Sequence, residues 1–165
     1  MKAIVAVDKN WGIGKNNDLL FSIPEDMKFF RKTTLNKIVV MGGNTLRSFP
    51  NGNPLKNRTN IVLSRSIQRD DCTVVKSYEE LFATLKNYPT EEIFIIGGAS
   101  VYKQMLLYCD EILVTKVDAD GNADVFFENL DCTDGFVMTE QGEEIIDNGY
   151  KIKFTTYKNL KPLSI

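Results

Sequence analysis

The chain has 165 residues, of which 43% are hydrophobic, and a formal net charge of −2. This composition predicts one domain over residues 1–165, and the slight negative charge with scattered lysines and arginines argues against nucleic-acid or membrane partners. The three cysteines are widely spaced and odd in number, which argues against a disulfide framework or a metal-binding pair and favours a cytoplasmic location. The chain has no histidine, so a metal site is less expected and any proton transfer must use carboxylates, hydroxyls or water.

The first predicted elements are a strand, a long loop and a helix. Residues 3–7 form an apolar run typical of a buried strand. Residues 9–20 are rich in glycine and asparagine, which predicts an irregular loop of the length that often serves as a lid. Ser22 and Glu25 have the spacing of a capping box, so a helix is expected over 24–33.

Asp26 is the residue of this helix that suggests chemistry. It would share a helical face with Met27 and Phe30, and a carboxylate aimed at an apolar surface needs a partner that donates hydrogen bonds. The alternative is an ordinary first-turn acid that complements the helix dipole.

The later elements alternate between strands and helices. Strands are expected at 37–41, 58–64, 73–75, 92–96 and 111–117, with helices at 45–49, 77–88 and 99–108 and a final antiparallel pair of strands at 136–139 and 152–157. This alternation predicts an α/β fold, a three-layer sandwich with a mostly parallel central sheet of about eight strands that ends in an antiparallel C-terminal pair.

Two strands end in paired glycines, Gly42-Gly43 and Gly97-Gly98, just before a predicted helix. A missing side chain lets a phosphate approach the backbone, so two such junctions suit a dinucleotide, although each also fits a plain turn. The Rossmann and Walker signatures are absent. Arg58 opens a strand and could pair with a ligand carboxylate, or simply be a solvated strand-edge residue.

Taken together, these segments resemble the dihydrofolate reductases of the bacterial chromosomal type over nearly the whole chain. The matching stretches are 4–7, 11–14, 23–26 with 29–30, 40–42 with Thr45, Arg58 with 60–64, 95–98 with 101–102, and Thr115. The resemblance implies an NADPH-dependent enzyme, a cytoplasmic monomer inhibited by antifolates, that reduces 7,8-dihydrofolate to tetrahydrofolate for one-carbon metabolism.

The resemblance also implies roles for individual residues in binding the substrate. Asp26, supported by Thr115, would hold the amino-pyrimidine edge of the pterin, and Arg58 would bind the α-carboxylate of the substrate's glutamate. Val5 and Ile96 would offer backbone carbonyls to the ring. The pocket walls would be Met27, Phe30, Phe49 and Leu55.

For the cofactor, the resemblance implies that Ala6 and Ile13 hold the nicotinamide carboxamide, while Asp124 braces the lid. The other cofactor-binding residues would be Gly14, Gly42, Gly43, Asn44, Thr45, Ser64, Arg65, Gly97, Gly98, Ala99, Ser100, Val101 and Tyr102.

The chain departs from the family pattern at three places. Leu20-Phe21 replaces Pro-Trp. Because Phe21, at this catalytic position, has no N–H to hold a water near the pterin, we expect the delivery of a proton to the substrate to be weaker. Gly43-Asn44 replaces the basic residue that grips the cofactor's 2′-phosphate, a task that we expect Arg65 to perform. Leu46 replaces an aromatic residue, which we interpret as a change in packing.

Two alternatives remain at this point. A pyrimidine reductase of riboflavin synthesis would share the Gly-Gly strand ends but would not need Asp26 and Arg58 together. A nucleotide-binding module without catalysis would bind NADPH but would not consume it in the presence of dihydrofolate.

Overall fold

The computed structural model describes residues 1–165, which form eleven strands and four α-helices. The strands are β1 (Lys2–Val7), β2 (Gly12–Gly14), β3 (Ile38–Gly42), β4 (Thr59–Leu63), β5 (Thr73–Val75), β6 (Ile93–Gly97), β7 (Glu111–Val117), β8 (Val125–Phe126), β9 (Phe136–Gln141), β10 (Ile145–Asp147) and β11 (Tyr150–Asn159). The helices are α1 (Pro24–Thr34), α2 (Gly43–Ser48), α3 (Tyr78–Leu85) and α4 (Ala99–Met105).

The main sheet has the strand order β10-β11-β7-β1-β6-β3-β4-β5, and β9 also pairs with β11. All pairs from β7 to β5 along this order are parallel, whereas β11 runs antiparallel to β7, β9 and β10. The predicted α/β class, with a mostly parallel sheet and antiparallel C-terminal strands, is therefore confirmed.

Strand β1 shows how the sheet separates two apolar layers. Ala3, Val5 and Val7 belong to the larger cluster, which contains core residues of α3 and α4. Ile4 points the other way, into a smaller cluster against which α1 packs through Phe29 and Phe30. Because successive side chains of a strand face opposite sides, an unbroken apolar run fills both layers, as the sequence predicted.

The strand order reverses between β1 and β6. The chain leaves β1 through α1 to reach β3 on the far side of β6, and it later leaves β6 through α4 to reach β7 on the far side of β1. The β1–β6 ladder contains only Lys2↔Phe94 and Ala3↔Ile95, although β1 pairs with β7 along its whole length. The two strands therefore part at their carboxyl ends, where open α/β sheets bind ligands.

The capping prediction for α1 is wrong, whereas that for α3 is confirmed. The N-cap of α1 is Ile23, and the N–H of Glu25 donates to a carboxylate oxygen of Asp147 at 2.7 Å, so a distant acid performs the task predicted for Ser22. Ser77 does cap α3 through its hydroxyl.

Other boundaries differ in detail. The predicted loop 9–20 contains β2, which pairs with β8. The helix predicted over 99–108 ends at Met105 and continues as a 3-10 turn, Leu106–Tyr108. None of the four α-helices has the length and apolar character needed to cross a bilayer.

Candidate active site

The side chains of Asp26 and Thr115 meet beside the parting strands. Asp26 lies in the first turn of α1, and its Oδ1 accepts a hydrogen bond of 2.7 Å from the Thr115 hydroxyl on β7. Thr115 is buried, Asp26 is half-buried, and no basic side chain pairs with Asp26. Burial raises the pKa of Asp26 above its usual value, and the Thr115 hydrogen bond opposes this rise.

The predicted apolar walls come together with one exception. Phe30, Phe49 and Leu55 are half-buried and pack against the cluster that holds Ile96. Met27, in contrast, is 57% exposed. Three of the four wall residues therefore share one apolar layer with α1, and Met27 is at its solvent side.

The structure presents the carbonyl of Ile4, rather than that of Val5, at the crevice between β1 and β6. The Tyr102 hydroxyl, which is buried, donates to the Ile4 carbonyl at 2.7 Å. Successive carbonyls of a strand point to opposite edges, so the Val5 carbonyl faces the other way. The sequence run 3–7 alone does not show which residue turns its carbonyl towards β6.

Arg58 is held in position by two neighbours before any ligand arrives. One terminal nitrogen donates to the Thr34 hydroxyl at 3.2 Å, and Nε donates to the Lys56 carbonyl at 2.9 Å. Burial and the nearby charge of Arg31 both lower the pKa of Arg58, and no carboxylate pairs with it. Two arginines without an acid create a positive site, and Arg31 was not anticipated from the sequence.

The paired glycines of two neighbouring strands leave room for a ligand at the ends of β3 and β6. Gly97 has φ of +124°, and an added Cβ there would lie 3.3 Å from the Tyr102 ring and 3.5 Å from the Thr45 hydroxyl. An added Cβ on Gly98 would lie 3.4 Å from the same hydroxyl. Side chains at these positions would fill the space in front of Thr45, so these residues fit a cofactor whose phosphates approach the backbone closely.

The other residues predicted along the cofactor path differ in accessibility. Gly42 approaches Val101, whose side chain is buried. Gly14 and Tyr102 are buried, Ala6, Ile13 and Ala99 are half-buried, and Ser100 is exposed.

Arg47 is a residue that sequence analysis missed. Its guanidinium donates to the Asn44 side chain at 2.9 Å and to the Ser66 hydroxyl at 3.4 Å. Gly43 packs against Ser64, whose hydroxyl accepts the N–H groups of the following turn. Arg65 is exposed and makes no side-chain hydrogen bond. Arg65 follows the end of β4, and Arg47, in the last turn of α2, contacts the neighbouring Ser66.

The lid is braced at its centre and at its end. The N–H of Asn16 donates to Asp124 at 3.1 Å, as predicted for that acid, and the side-chain amide of Asn17 donates to the Asn44 carbonyl at 3.4 Å. Directly after the lid, the Phe21 ring lies 4.8 Å from that of Tyr150 in β11. These contacts keep residues 9–21 close to α2 and to β11.

A cavity of about 410 Å³ lies between α4 and residues 126–136, and Ala99, Ser100 and Tyr102 of the predicted cofactor path line part of it. Another cavity, of about 280 Å³, includes Asp8, Lys9 and Asp118. Asp26 lines neither of them.

Comparison with known proteins identifies the family of this chain. The sequence model of the family described as dihydrofolate reductase matches residues 1–159. The chain belongs to the dihydrofolate reductase family. It therefore catalyses the reduction of dihydrofolate to tetrahydrofolate with NADPH as cofactor, which decides against both alternatives considered from the sequence.

Relatives from several bacteria match most of the chain. The dihydrofolate reductase of Bacillus subtilis (strain 168) is 35% identical over 158 residues, which cover 94% of this chain and 92% of that protein. That of Staphylococcus haemolyticus is 33% identical over 161 residues, covering 96% and 95%. That of Haemophilus influenzae is 37% identical over 128 residues, covering 77% and 78%.

Proposed function

We propose that dihydrofolate binds between β1, β6 and α1, with its amino-pyrimidine edge on Asp26. The observation that carries this proposal is the hydrogen bond from Thr115 to a half-buried carboxylate that has no basic partner. A buried carboxylate requires further donors, and an amino-pyrimidine edge offers two parallel N–H groups.

Thr115 fixes the orientation of the carboxylate. Its hydroxyl occupies one lone pair of Oδ1, and the carboxylate keeps lone pairs on both oxygens for a two-point contact with the ring. Asp26 then acts as an electrostatic anchor that polarises the ring, while water delivers the proton to the ring nitrogen. The carbonyls of Ile4 and Ile96 would accept further N–H groups of the ring, Ile4 taking the role first assigned to Val5.

Arg58 is suited to bind the α-carboxylate of the substrate's glutamate. Its contacts with Thr34 and Lys56 fix the plane of the guanidinium and leave one terminal nitrogen free to donate. Arg31 adds a second positive charge, which suits the dianionic glutamate tail. The half-buried Phe30, Phe49 and Leu55 would line the path between this tail and the pterin.

The cofactor, when bound, supplies the hydride. Gly97, Gly98 and Thr45 provide the space in which its phosphates meet the backbone, and Gly42 extends that space along β3. Ile13 in the lid and Ala6 on β1 would hold the nicotinamide carboxamide. A closed lid excludes bulk water and fixes the distance between hydride donor and acceptor.

The 2′-phosphate of the cofactor would be held by arginines that lie outside the usual position of the family's basic residue. Arg65 was expected from the sequence, and Arg47 lies next to the same turn, through its contacts with Asn44 and Ser66. Guanidinium groups near this turn would match the charge and geometry of a phosphate.

We also propose that the protein acts as a cytoplasmic monomer that antifolates inhibit. Its three cysteines are free, which agrees with a reducing compartment.

The decisive test is a dihydrofolate-dependent loss of NADPH absorbance by the purified protein, repeated with Asp26→Asn and with Glu25→Gln. The second substitution removes the same charge from the neighbouring, exposed residue. Wild type and Glu25→Gln should consume NADPH, and Asp26→Asn should do so far more slowly. Equal rates in the two variants would contradict the role of Asp26.

A further inference from the structure

Asp8 is a buried carboxylate that the proposed chemistry does not use. It is 3% exposed, the only Asp or Glu in the buried core, and forms no ion pair. Its Oδ1 accepts the N–H groups of Asn10 and Gly12 at 2.8 and 2.7 Å, and its Oδ2 accepts the N–H of Gly121 at 3.0 Å. Three backbone donors thus compensate the burial of one charge.

Two of these hydrogen bonds enclose a residue in an unfavourable backbone conformation. Trp11 has φ of +64°, a left-handed value that bulky residues rarely adopt. The N–H groups on either side of it, those of Asn10 and Gly12, are the ones that donate to Asp8. Such conformations persist only where the surroundings hold them firmly, and here Asp8 provides the hold at the point where the lid leaves β1.

The third hydrogen bond joins the start of the lid to Gly121, which lies next to Leu20 at the end of the lid. Gly121 lies in the loop after β7, and an added Cβ there would be 2.8 Å from Cδ1 of Leu20. Gly121 is therefore placed between the Asp8 carboxylate and the Leu20 side chain. Because Leu20 closes the lid segment 9–20, one carboxylate and one glycine connect both of its ends.

We propose that Asp8 is a positioning residue that fixes the lid over the cofactor by joining the two ends of the lid through Gly121. The inference rests on the proposed function, in which Ile13 of the lid contacts the nicotinamide while Asp26 and Arg58 bind dihydrofolate outside the lid. Loss of the Asp8–Gly121 hydrogen bond should therefore weaken NADPH binding and hydride transfer and leave dihydrofolate binding unchanged.

Asp8→Asn removes one contact selectively. The amide oxygen can still accept the N–H groups of Asn10 and Gly12, but the amide NH₂ then faces the N–H of Gly121, so two donors meet. Asp118→Asn is the matched control, because Asp118 lines the same cavity of about 280 Å³, is exposed, and makes no side-chain hydrogen bond.

The dissociation constants for NADPH and for dihydrofolate are measured separately through the fluorescence of Trp11, the only tryptophan of the chain. Hydride transfer is followed in single turnovers. Asp8→Asn should raise the dissociation constant for NADPH about fivefold or more, as expected for a coupling between distant groups. Its dissociation constant for dihydrofolate should stay within about twofold of the wild-type value. Asp118→Asn should behave as wild type.

Three results would overturn the proposal. The first is a dissociation constant for NADPH that is the same in Asp8→Asn and in Asp118→Asn. The second is a parallel loss of affinity for both ligands together with a lower melting temperature, which would mark Asp8 as a structural residue only. The third concerns Leu20→Ala, which removes the other neighbour of Gly121 and replaces Asp8→Asn if that variant does not fold. Unchanged NADPH binding in Leu20→Ala would contradict the proposal.

A ligand-free measurement separates this inference from the proposed function. Lys15 is an exposed trypsin site inside the lid. Trypsin should cleave after Lys15 faster in Asp8→Asn than in Asp118→Asn, and equal rates would overturn the inference. If the wild type did not bind dihydrofolate, the proposed function would fail, and the trypsin result would still decide whether Asp8 holds the lid.

Discussion

The Thr115 hydroxyl on β7 donates to the Asp26 carboxylate on α1 at 2.7 Å, although 89 residues separate the two. This contact joins the central sheet to the helix that flanks the crevice between β1 and β6. It also affects the protonation of Asp26, because burial raises the pKa of the carboxyl and the hydrogen bond opposes part of this rise.

Thr115→Val keeps the shape of the side chain and removes the hydroxyl, so the pKa of Asp26 should rise further. Carbon-13 NMR titration of the aspartate carboxyls would measure it, with Asp26→Asn identifying the signal. A pKa raised in the folded state favours the fold below the usual aspartate value, and this contribution is lost as pH rises through the raised pKa. The free energy of unfolding should therefore fall more steeply with pH in Thr115→Val. An unchanged or lower pKa would contradict the assigned role of the hydroxyl.

Phe21→Trp should raise the rate of hydride transfer at neutral pH. An indole in place of the ring that now lies 4.8 Å from Tyr150 supplies an N–H that can hold a water near the pterin. Single-turnover kinetics isolates this step from product release. Phe21→Leu serves as the control, because it changes the packing without adding a donor. No gain with tryptophan, or an equal gain with leucine, would count against the idea.

Arg58→Ala should raise the KM for dihydrofolate about 10- to 100-fold, the loss of affinity expected when one charged hydrogen bond is removed. The effect on kcat should be much smaller. The reason is that the glutamate tail is bound alike in the ground state and the transition state. Thr34→Val, which removes one contact that orients Arg58, should have the same effect in milder form. A dihydropterin without the glutamate tail is the control substrate, and its KM should not change. A fall in kcat alone would contradict this assignment.

Arg47→Ala and Arg65→Ala should each weaken NADPH binding about tenfold through the loss of a charged contact with the 2′-phosphate. NADH lacks that phosphate, so its affinity should stay the same and acts as the internal control. Fluorescence titration of each variant with both cofactors gives the ratio of the NADPH and NADH dissociation constants directly. If neither variant changes the NADPH-to-NADH ratio, the phosphate is bound elsewhere.

The main elements of the fold could be predicted because local signals determine them. The apolar run of β6 and the Ser77 cap of α3 are visible in a few neighbouring residues. The start of α1 was predicted, but its capping interaction could not be, because the N–H of Glu25 is satisfied by Asp147, which is 122 residues away. The two-residue strand β8 leaves too short a pattern to recognise.

The candidate site could be predicted in part for the same reason. The pairing of Asp26 with Thr115 followed from the resemblance to a known family, and the structure shows the two side chains in contact. Arg47 was missed because its importance arises only when folding brings α2 next to Ser66. Whether Ile4 or Val5 presents its carbonyl depends on the orientation of β1, on which an unbroken apolar run carries no information.

The affinity of Asp26→Asn for dihydrofolate, compared with that of Glu25→Gln, tests the central claim most directly. Both variants lose one negative charge at the start of α1, but only Asp26 is bonded to Thr115. We predict that binding to Asp26→Asn is weaker by about 100-fold, the loss expected for charge-assisted hydrogen bonds to the ring, and that binding to Glu25→Gln is unchanged. Equal affinity in the two variants would contradict the account.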